Sequence, residues 1–261
     1  VPQFAANLTM LFNELPFVDR FAAAKTAGFA AVEYLFPYDH DKALLAEQLA
    51  RYGLMQVLHN LPAGNWAAGE RGIAILPDRT EEFRDGVARA IEYAKALDCR
   101  QLNCLVGIAP PDADSTLLNE VLVGNLRFAA AALARQGIKL LIEPINTIDI
   151  PGFFLNRTEQ AVQLISQVRS PNLFIQYDIY HMQIMEGDLA RTLQKHLDRI
   201  AHVQLADNPG RNEPGTGEIN YSYLFRHLDA IGYRGWIGCE YKPRTTTLES
   251  LGWHAAHTFE T

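Results

Sequence analysis

Eight short apolar runs, each followed by a stretch with helical spacing, divide this chain into repeating strand–helix units. The runs fall at 3–7, 30–33, 54–59, 102–105, 140–143, 174–178, 201–204 and 236–240. Between them apolar residues recur three or four positions apart, as at Phe17, Phe21, Ala24 and Ala27, or at Phe83, Val87, Ile91, Ala94 and Leu97. That spacing puts each set on one face of a helix. Gly28, Gly53 and Gly137 stand where helices should stop, and Asp78 and Thr80 are placed to cap the third helix. Eight such units in 261 residues suit one (β/α)₈ barrel, and no Pro/Gly/Ser-rich linker divides the chain. The expected fold is therefore α/β, a single-domain TIM barrel over residues 1–261, with a last helix through Leu248, Leu251 and Trp253. An open doubly wound sheet is the other arrangement the alternation allows.

In such a barrel the active site lies where the strands end and the βα loops begin. Each run here carries a polar side chain at or near its end: Asn7, Glu33, His59, Asn103, Glu143, Asp178, Gln204 and Glu240. Buried strands ending in carboxylates need compensation, because taking a carboxylate out of water costs several kcal/mol or shifts its pKa. Glu143, Asp178, Gln204 and Glu240 come from four consecutive strands. They offer three carboxylates and an amide oxygen, hard ligands suited to Mg²⁺ or Mn²⁺. A capped turn or a surface ion pair is the alternative for any one of them alone. The longest connections, 59–72 and 208–220, follow the third and seventh strands on the same face, where long loops are commonly functional.

Charge and composition narrow the partners. The net charge is −7 and the basic residues form no run, so the electrostatic footprint of a nucleic-acid binder is absent. No stretch approaches the roughly 18 uninterrupted apolar residues of a membrane span. The start, Val1-Pro2-Gln3-Phe4, has no charged leader followed by an apolar run. Three cysteines, Cys99, Cys104 and Cys239, sit in or beside apolar runs without metal-binding spacing. They read as reduced core residues of a cytoplasmic protein. Assembly into a homo-oligomer stays open.

Longer motifs carry a resemblance. The segments 59–64 (HNLPAG), 66–72 (WAAGERG), 142–146 (IEPIN), 176–183 (QYDIYHMQ), 206–209 (ADNP), 213–221 (EPGTGEINY) and 238–243 (GCEYKP) resemble the hydroxypyruvate isomerase family. That family includes 2-oxo-tetronate isomerases and belongs to the xylose-isomerase-like barrels. The resemblance implies that Glu143 and Glu240 are paired catalytic glutamates moving a proton between adjacent carbons. It also implies that Glu143, Asp178, Gln204 and Glu240 bind a divalent metal. Many relatives in the wider superfamily have histidine where Gln204 stands, which weakens an analogy to zinc enzymes.

Interconverting a 2-oxo-3-hydroxy acid with its 2-hydroxy-3-oxo isomer removes a proton from one carbon and returns it to the neighbour through an enediolate. A cation stabilises the developing charge, and a glutamate pair can serve as base and acid. The expected activity is thus an aldose–ketose type isomerisation of a small oxo-acid. A ketose 3-epimerase and a non-catalytic sugar-acid-binding module are the alternatives. For the substrate, His181 and Arg211 are candidate contacts, Arg211 through a carboxylate or hydroxyls; the alternatives are a loop or helix-capping histidine and a solvated loop arginine. Glu70 and Arg71 either close over the mouth or pair to order their own loop. His59 and Glu33 either bind substrate hydroxyls or form a paired structural carboxylate and histidine. His202, two residues before Gln204, should point inward below the metal layer and support it from there.

Overall fold

The computed structural model describes residues 2–254; Val1 and residues 255–261, the two ends of the expected 1–261 domain, lie outside the described residues. Eight parallel strands close into a barrel in sequence order. They are β1 (Gln3–Asn7), β2 (Ala31–Glu33), β3 (Met55–Asn60), β4 (Gln101–Cys104), β5 (Lys139–Ile142), β6 (Leu173–Asp178), β7 (Ile200–Leu205) and β8 (Trp236–Cys239). The helices are α1 (Arg20–Thr26), α2 (Lys42–Tyr52), α3 (Thr80–Ala96), α4 (Ser115–Ala134), α5 (Thr158–Val168), α6 (Ile179–Met185), α7 (Leu189–Lys195), α8 (Tyr221–Ala230) and α9 (Thr247–Ser250). Parallel strands need long crossovers, and helices covering the outer face supply them.

Contacts gather the chain into two sets. The first lies within Val1–Tyr34, Ala43–Val57 and Tyr177–Thr261. There β1 pairs with β2 and β8, with Asn7 opposite Glu33 and Ala5 opposite Gly238; β8 also pairs with β7, with Gly238 opposite Gln204. Ala5, Ala6 and Gly238 carry little or no side chain, so the strand interior has room for larger polar groups from β2 and β7. Outside the strands, the Phe4 ring meets Phe225 and Trp253 edge-on at 5.1 and 5.2 Å. Phe17 packs edge-on against Phe21 and Tyr34.

The second set lies within Leu35–Lys42 and Leu58–Gln176. Here β4 pairs with β5 along its length and β5 with β6. Phe83, Val87, Ala90 and Ala94 form the buried face of α3, at the spacing the sequence showed. Among the described residues α4 is long and apolar enough by composition to cross a membrane. In the fold its apolar residues serve burial: Leu122, Leu126, Ala129, Ala130 and Leu133 are wholly inaccessible, and the helix packs on β5 and α3.

Strand ends differ from expectation by a residue. β3 runs to Asn60, and Glu143 and Glu240 lie just past β5 and β8. The expected cap of α3 by Asp78 or Thr80 does not form, because Pro77–Arg79 makes a 3₁₀ turn that leads directly into the helix. Thr80 Oγ1 instead donates to the Pro77 carbonyl at 3.3 Å. The closing helix is shorter than expected, since α9 ends at Ser250, although Trp253 is helical again.

Candidate active site at the strand ends

Asp178 joins two elements. As the last residue of β6 it caps α6: its Oδ1 accepts from the amides of Tyr180 at 2.8 Å and His181 at 3.4 Å. This fixes the carboxylate and turns Oδ2 away from the helix. Oδ2 is buried and accepts no hydrogen bond. It faces His181 Nε2 at 3.6 Å and Arg211 Nη2 at 3.7 Å. Glu143, Asp178 and His181 each offer a ligand atom, and these atoms lie within 4.8 Å of one another. Such a donor set fits a divalent cation. Sequence reasoning placed His181 against substrate; the structure places it in the candidate metal cluster, because the cap turns the first residues of α6 back over the strand end.

Glu143 Oε2 accepts from Asn103 Nδ2 at 2.9 Å, and the same amide group donates to Asn60 Oδ1 at 3.2 Å. Asn60 thus takes the position expected of His59. Since β3 extends one residue further, the alternation sends His59 to the opposite face. There it is fully buried beside the backbone of Ala90 in α3, its ring 6.1 Å from that of Tyr38, and burial pulls its pKa down to about 3. His59 is a core residue, which corrects its placement at the mouth. The signal was one residue further along the same run.

On the other strands the polar groups form a second network. Glu33, wholly inaccessible, accepts from Asn7 Nδ2 at 2.9 Å and from Gln204 Nε2 at 2.7 Å, both through Oε1, and its Oε2 lies 2.6 Å from His202 Nε2. Asn7 Nδ2 also reaches Glu240 Oε1 at 3.4 Å. Glu240 Oε2 accepts from Arg211 Nη2 at 2.9 Å. Burial raises the Glu240 pKa to about 8; Arg211 counters the shift, while Asp178 and Glu33 reinforce it. Burial likewise raises Asp178, opposed by Arg211 and the two capping amides. His181 is held well below its ordinary value by burial and by Arg211.

Arg211 owes its place to the loop after β7. Asp207, buried, accepts the amides of Asn208, Gly215, Gly217 and Ile219 at 2.8–3.1 Å. Any side chain at Gly217 would strike the Asn208 carbonyl, so the loop closes only on glycine there. Arg211 stands in the left-handed region at φ 53, and its carbonyl accepts from the Lys242 amide at 2.7 Å, tying the loop to the exit of β8. The role of Asp207 went unread in the sequence, where only its motif drew notice.

Glu70 and Arg71 hold their own loop together. Glu70 pairs with Arg79 and accepts the Asn65 amide; Arg71 stacks 3.9 Å from the Trp66 ring centroid and donates to the carbonyls of Trp66 and Glu70. The contacts order the loop, but through an ion pair of Glu70 with Arg79 rather than the expected one with Arg71.

A family model described as xylose isomerase-like TIM barrel matches residues 21–257. The chain is 57% identical to hydroxypyruvate isomerase of Escherichia coli K12, with 96% of this chain and 97% of the relative covered. It is 50% identical to 2-oxo-tetronate isomerase of Cupriavidus necator, covering 97% of each. The crystal structure of a Brucella melitensis protein named AP endonuclease, family 2 superposes with a TM-score of 0.96 at 49% identity, covering 98% of this chain and 99% of that one. This chain belongs to the xylose isomerase-like TIM barrels and, within them, to the hydroxypyruvate isomerase family.

Proposed function

We propose that the protein is a metal-assisted isomerase. It interconverts a small 2-oxo-3-hydroxy acid, such as hydroxypyruvate or a 2-oxo-tetronate, with its 2-hydroxy-3-oxo isomer. The isomerase relatives support the reaction class. The observation that carries the metal reading is Asp178 Oδ2, a buried carboxylate oxygen without a hydrogen bond, clustered with Glu143 and His181. Arg211 at 3.7 Å offsets part of that charge without donating a hydrogen bond to it, and an acceptor left so in the interior stays costly unless a further cation meets it.

Glu143, Asp178 and His181 would hold the ion, with Gln204 and Glu240 as the further ligands the family resemblance implies. Mg²⁺ or Mn²⁺ suits this oxygen-rich set, and when bound it would supply Lewis-acid stabilisation of charge developing on the substrate oxygens. The chain's own groups do the rest. Glu143, oriented by Asn103, and Glu240, oriented by Asn7 and Arg211, exchange the proton between adjacent carbons. Arg211 recognises the substrate carboxylate as a two-pronged donor. The endonuclease name belongs to the Brucella protein; the carboxylate-rich strand ends and net charge of −7 favour a small ligand here.

The test is turnover in deuterated water with hydroxypyruvate and four-carbon 2-oxo-acids, after chelation and with Mg²⁺ or Mn²⁺ added back. Deuterium should enter at the interconverted carbons, with an aldehyde as product from hydroxypyruvate and a 3-oxo ketone from the four-carbon acids, only when metal is restored. An inverted alcohol as product would make the protein an epimerase, and unlabelled substrate would remove the proton-transfer reading.

A further inference from the structure

Glu33 ends β2, has no part in the reaction proposed above, and meets the side chains of three other strand residues. Its carboxylate takes the amide hydrogens of Asn7 and Gln204 and adjoins His202 Nε2. The space it fills exists because residue 238 is glycine: a methyl group there would overlap both carboxylate oxygens and the carboxyl carbon of Glu33. Gly238 lies opposite Gln204 and Ala5 in the strand registers, so the gap sits beneath Gln204 itself.

Carboxamides have two unlike ends. A carboxylate accepts only from the nitrogen end, so the contact of 2.7 Å fixes Gln204 with its nitrogen on Glu33 and its carbonyl oxygen on the other branch. Asn7 is fixed in the same way, and doubly. Its Oδ1 accepts the amides of Thr9 at 3.1 Å and Met10 at 3.3 Å, which leaves Nδ2 to bridge Glu33 and Glu240.

We propose that Glu33, seated in the space left by Gly238, is a positioning residue. It orients the Gln204 carbonyl oxygen as a ligand and, through Asn7, holds Glu240 in place. This rests on the metal reading above. Metal ligands lacking such partners lose affinity and orientation together, by about 10- to 100-fold. The glycine and the glutamate form one device, in which the missing side chain on β8 gives the carboxylate of β2 its place.

Mn²⁺ binding to chelator-stripped protein, measured by calorimetry, tests it alongside the side-chain amide signals of Gln204 in nitrogen-15 NMR spectra. Glu33→Met removes both acceptor oxygens, and Gly238→Ala keeps them but displaces them. Each should weaken Mn²⁺ binding by about tenfold or more. Glu33→Gln can still accept from Asn7 and Gln204 while donating to His202, so it should stay within about threefold of wild type. In the wild type the Gln204 amide protons should be shifted downfield and slow to exchange, and both should be lost in Glu33→Met. A folded Glu33→Met protein with wild-type affinity and unchanged Gln204 signals overturns the proposal. Wild-type protein that takes up no Mn²⁺ overturns the metal reading, and the amide protons then decide the orienting role alone: protected they support it, freely exchanging they refute it. The same wild-type signals decide it where a variant does not fold.

Discussion

Arg211 Nη2 lies 2.9 Å from Glu240 Oε2 and 3.7 Å from Asp178 Oδ2, so one guanidinium serves two buried carboxylates. Burial raises both acids, and Arg211 opposes the rise in each. Arg211→Leu should therefore push the Glu240 pKa above its value of about 8, read by carbon-13 NMR of the side-chain carboxyls in metal-free protein. A charged hydrogen bond contributes about 1.5–3 kcal/mol, so kcat/KM for an oxo-acid should fall by about 10- to 100-fold. An unmoved carboxyl titration would show that the pair is screened by solvent instead.

Asp178 permits a cleaner separation of fold from metal. Its Oδ1 caps α6, and asparagine caps helices as well as aspartate does. In Asp178→Asn the cap takes the amide oxygen, which turns the amide nitrogen to the position now held by Oδ2, where it cannot ligate. Thermal stability of metal-free protein should be almost unchanged, while Mn²⁺ affinity drops by on the order of 100-fold or more. Equal Mn²⁺ affinity in calorimetry would take Asp178 out of the ligand set.

The Asp207 carboxylate has a different task. Four backbone amides converge on it, and Asp207→Ala would leave those of Gly215, Gly217 and Ile219 without their acceptor. Unsatisfied buried amides cost about 1–3 kcal/mol each where water cannot reach them. Hydrogen exchange across 208–220 should speed up. Because the loop delivers Arg211, KM should rise more than kcat falls. A loop that stays as protected as in the wild type would mean that the tie between Arg211 and Lys242 holds it unaided.

Much of this arrangement was legible in the chain because a barrel strand leaves little freedom. Eight alternations of apolar run and helical stretch suit a closed barrel, and the polar residue near the end of each run is then expected at the mouth. That rule singled out Glu143, Asp178, Gln204 and Glu240, of which Glu143 and Asp178 fall in the candidate metal cluster. His59 was misplaced because side chains alternate faces and β3 runs one residue further than its apolar run suggested, a shift that sends a side chain from the mouth to the buried face of α3. His181 was read as a substrate contact, whereas its ring joins Glu143 and Asp178 in the candidate cluster. That placement depends on how Asp178 caps α6, a local turn that apolar periodicity does not encode. The pairing of Glu33 with His202 and the space at Gly238 belong to contacts between β2, β7 and β8, and no spacing along the chain reports them.

His59 gives the fold a specific sensitivity to acid. Folded, its ring is buried and its pKa lies near 3; unfolded, it returns to about 6.5. Below the unfolded value the unfolded chain binds a proton that the folded chain refuses, so stability falls as pH drops from about 6.5 toward 3, and nothing is lost above that window. The slope from one such group is at most about 1.4 kcal/mol per pH unit. His181 is depressed in the same direction, and the raised carboxylates of Asp178 and Glu240 act oppositely, but all three are common to wild type and variant. The difference between wild type and His59→Asn therefore isolates one ring. In urea unfolding of metal-free protein between pH 6.5 and 5, the wild type should lose about 1 kcal/mol per pH unit more than the variant. Parallel pH dependences would mean that the ring is protonated in the fold, with Ala90 or a water molecule supporting the charge.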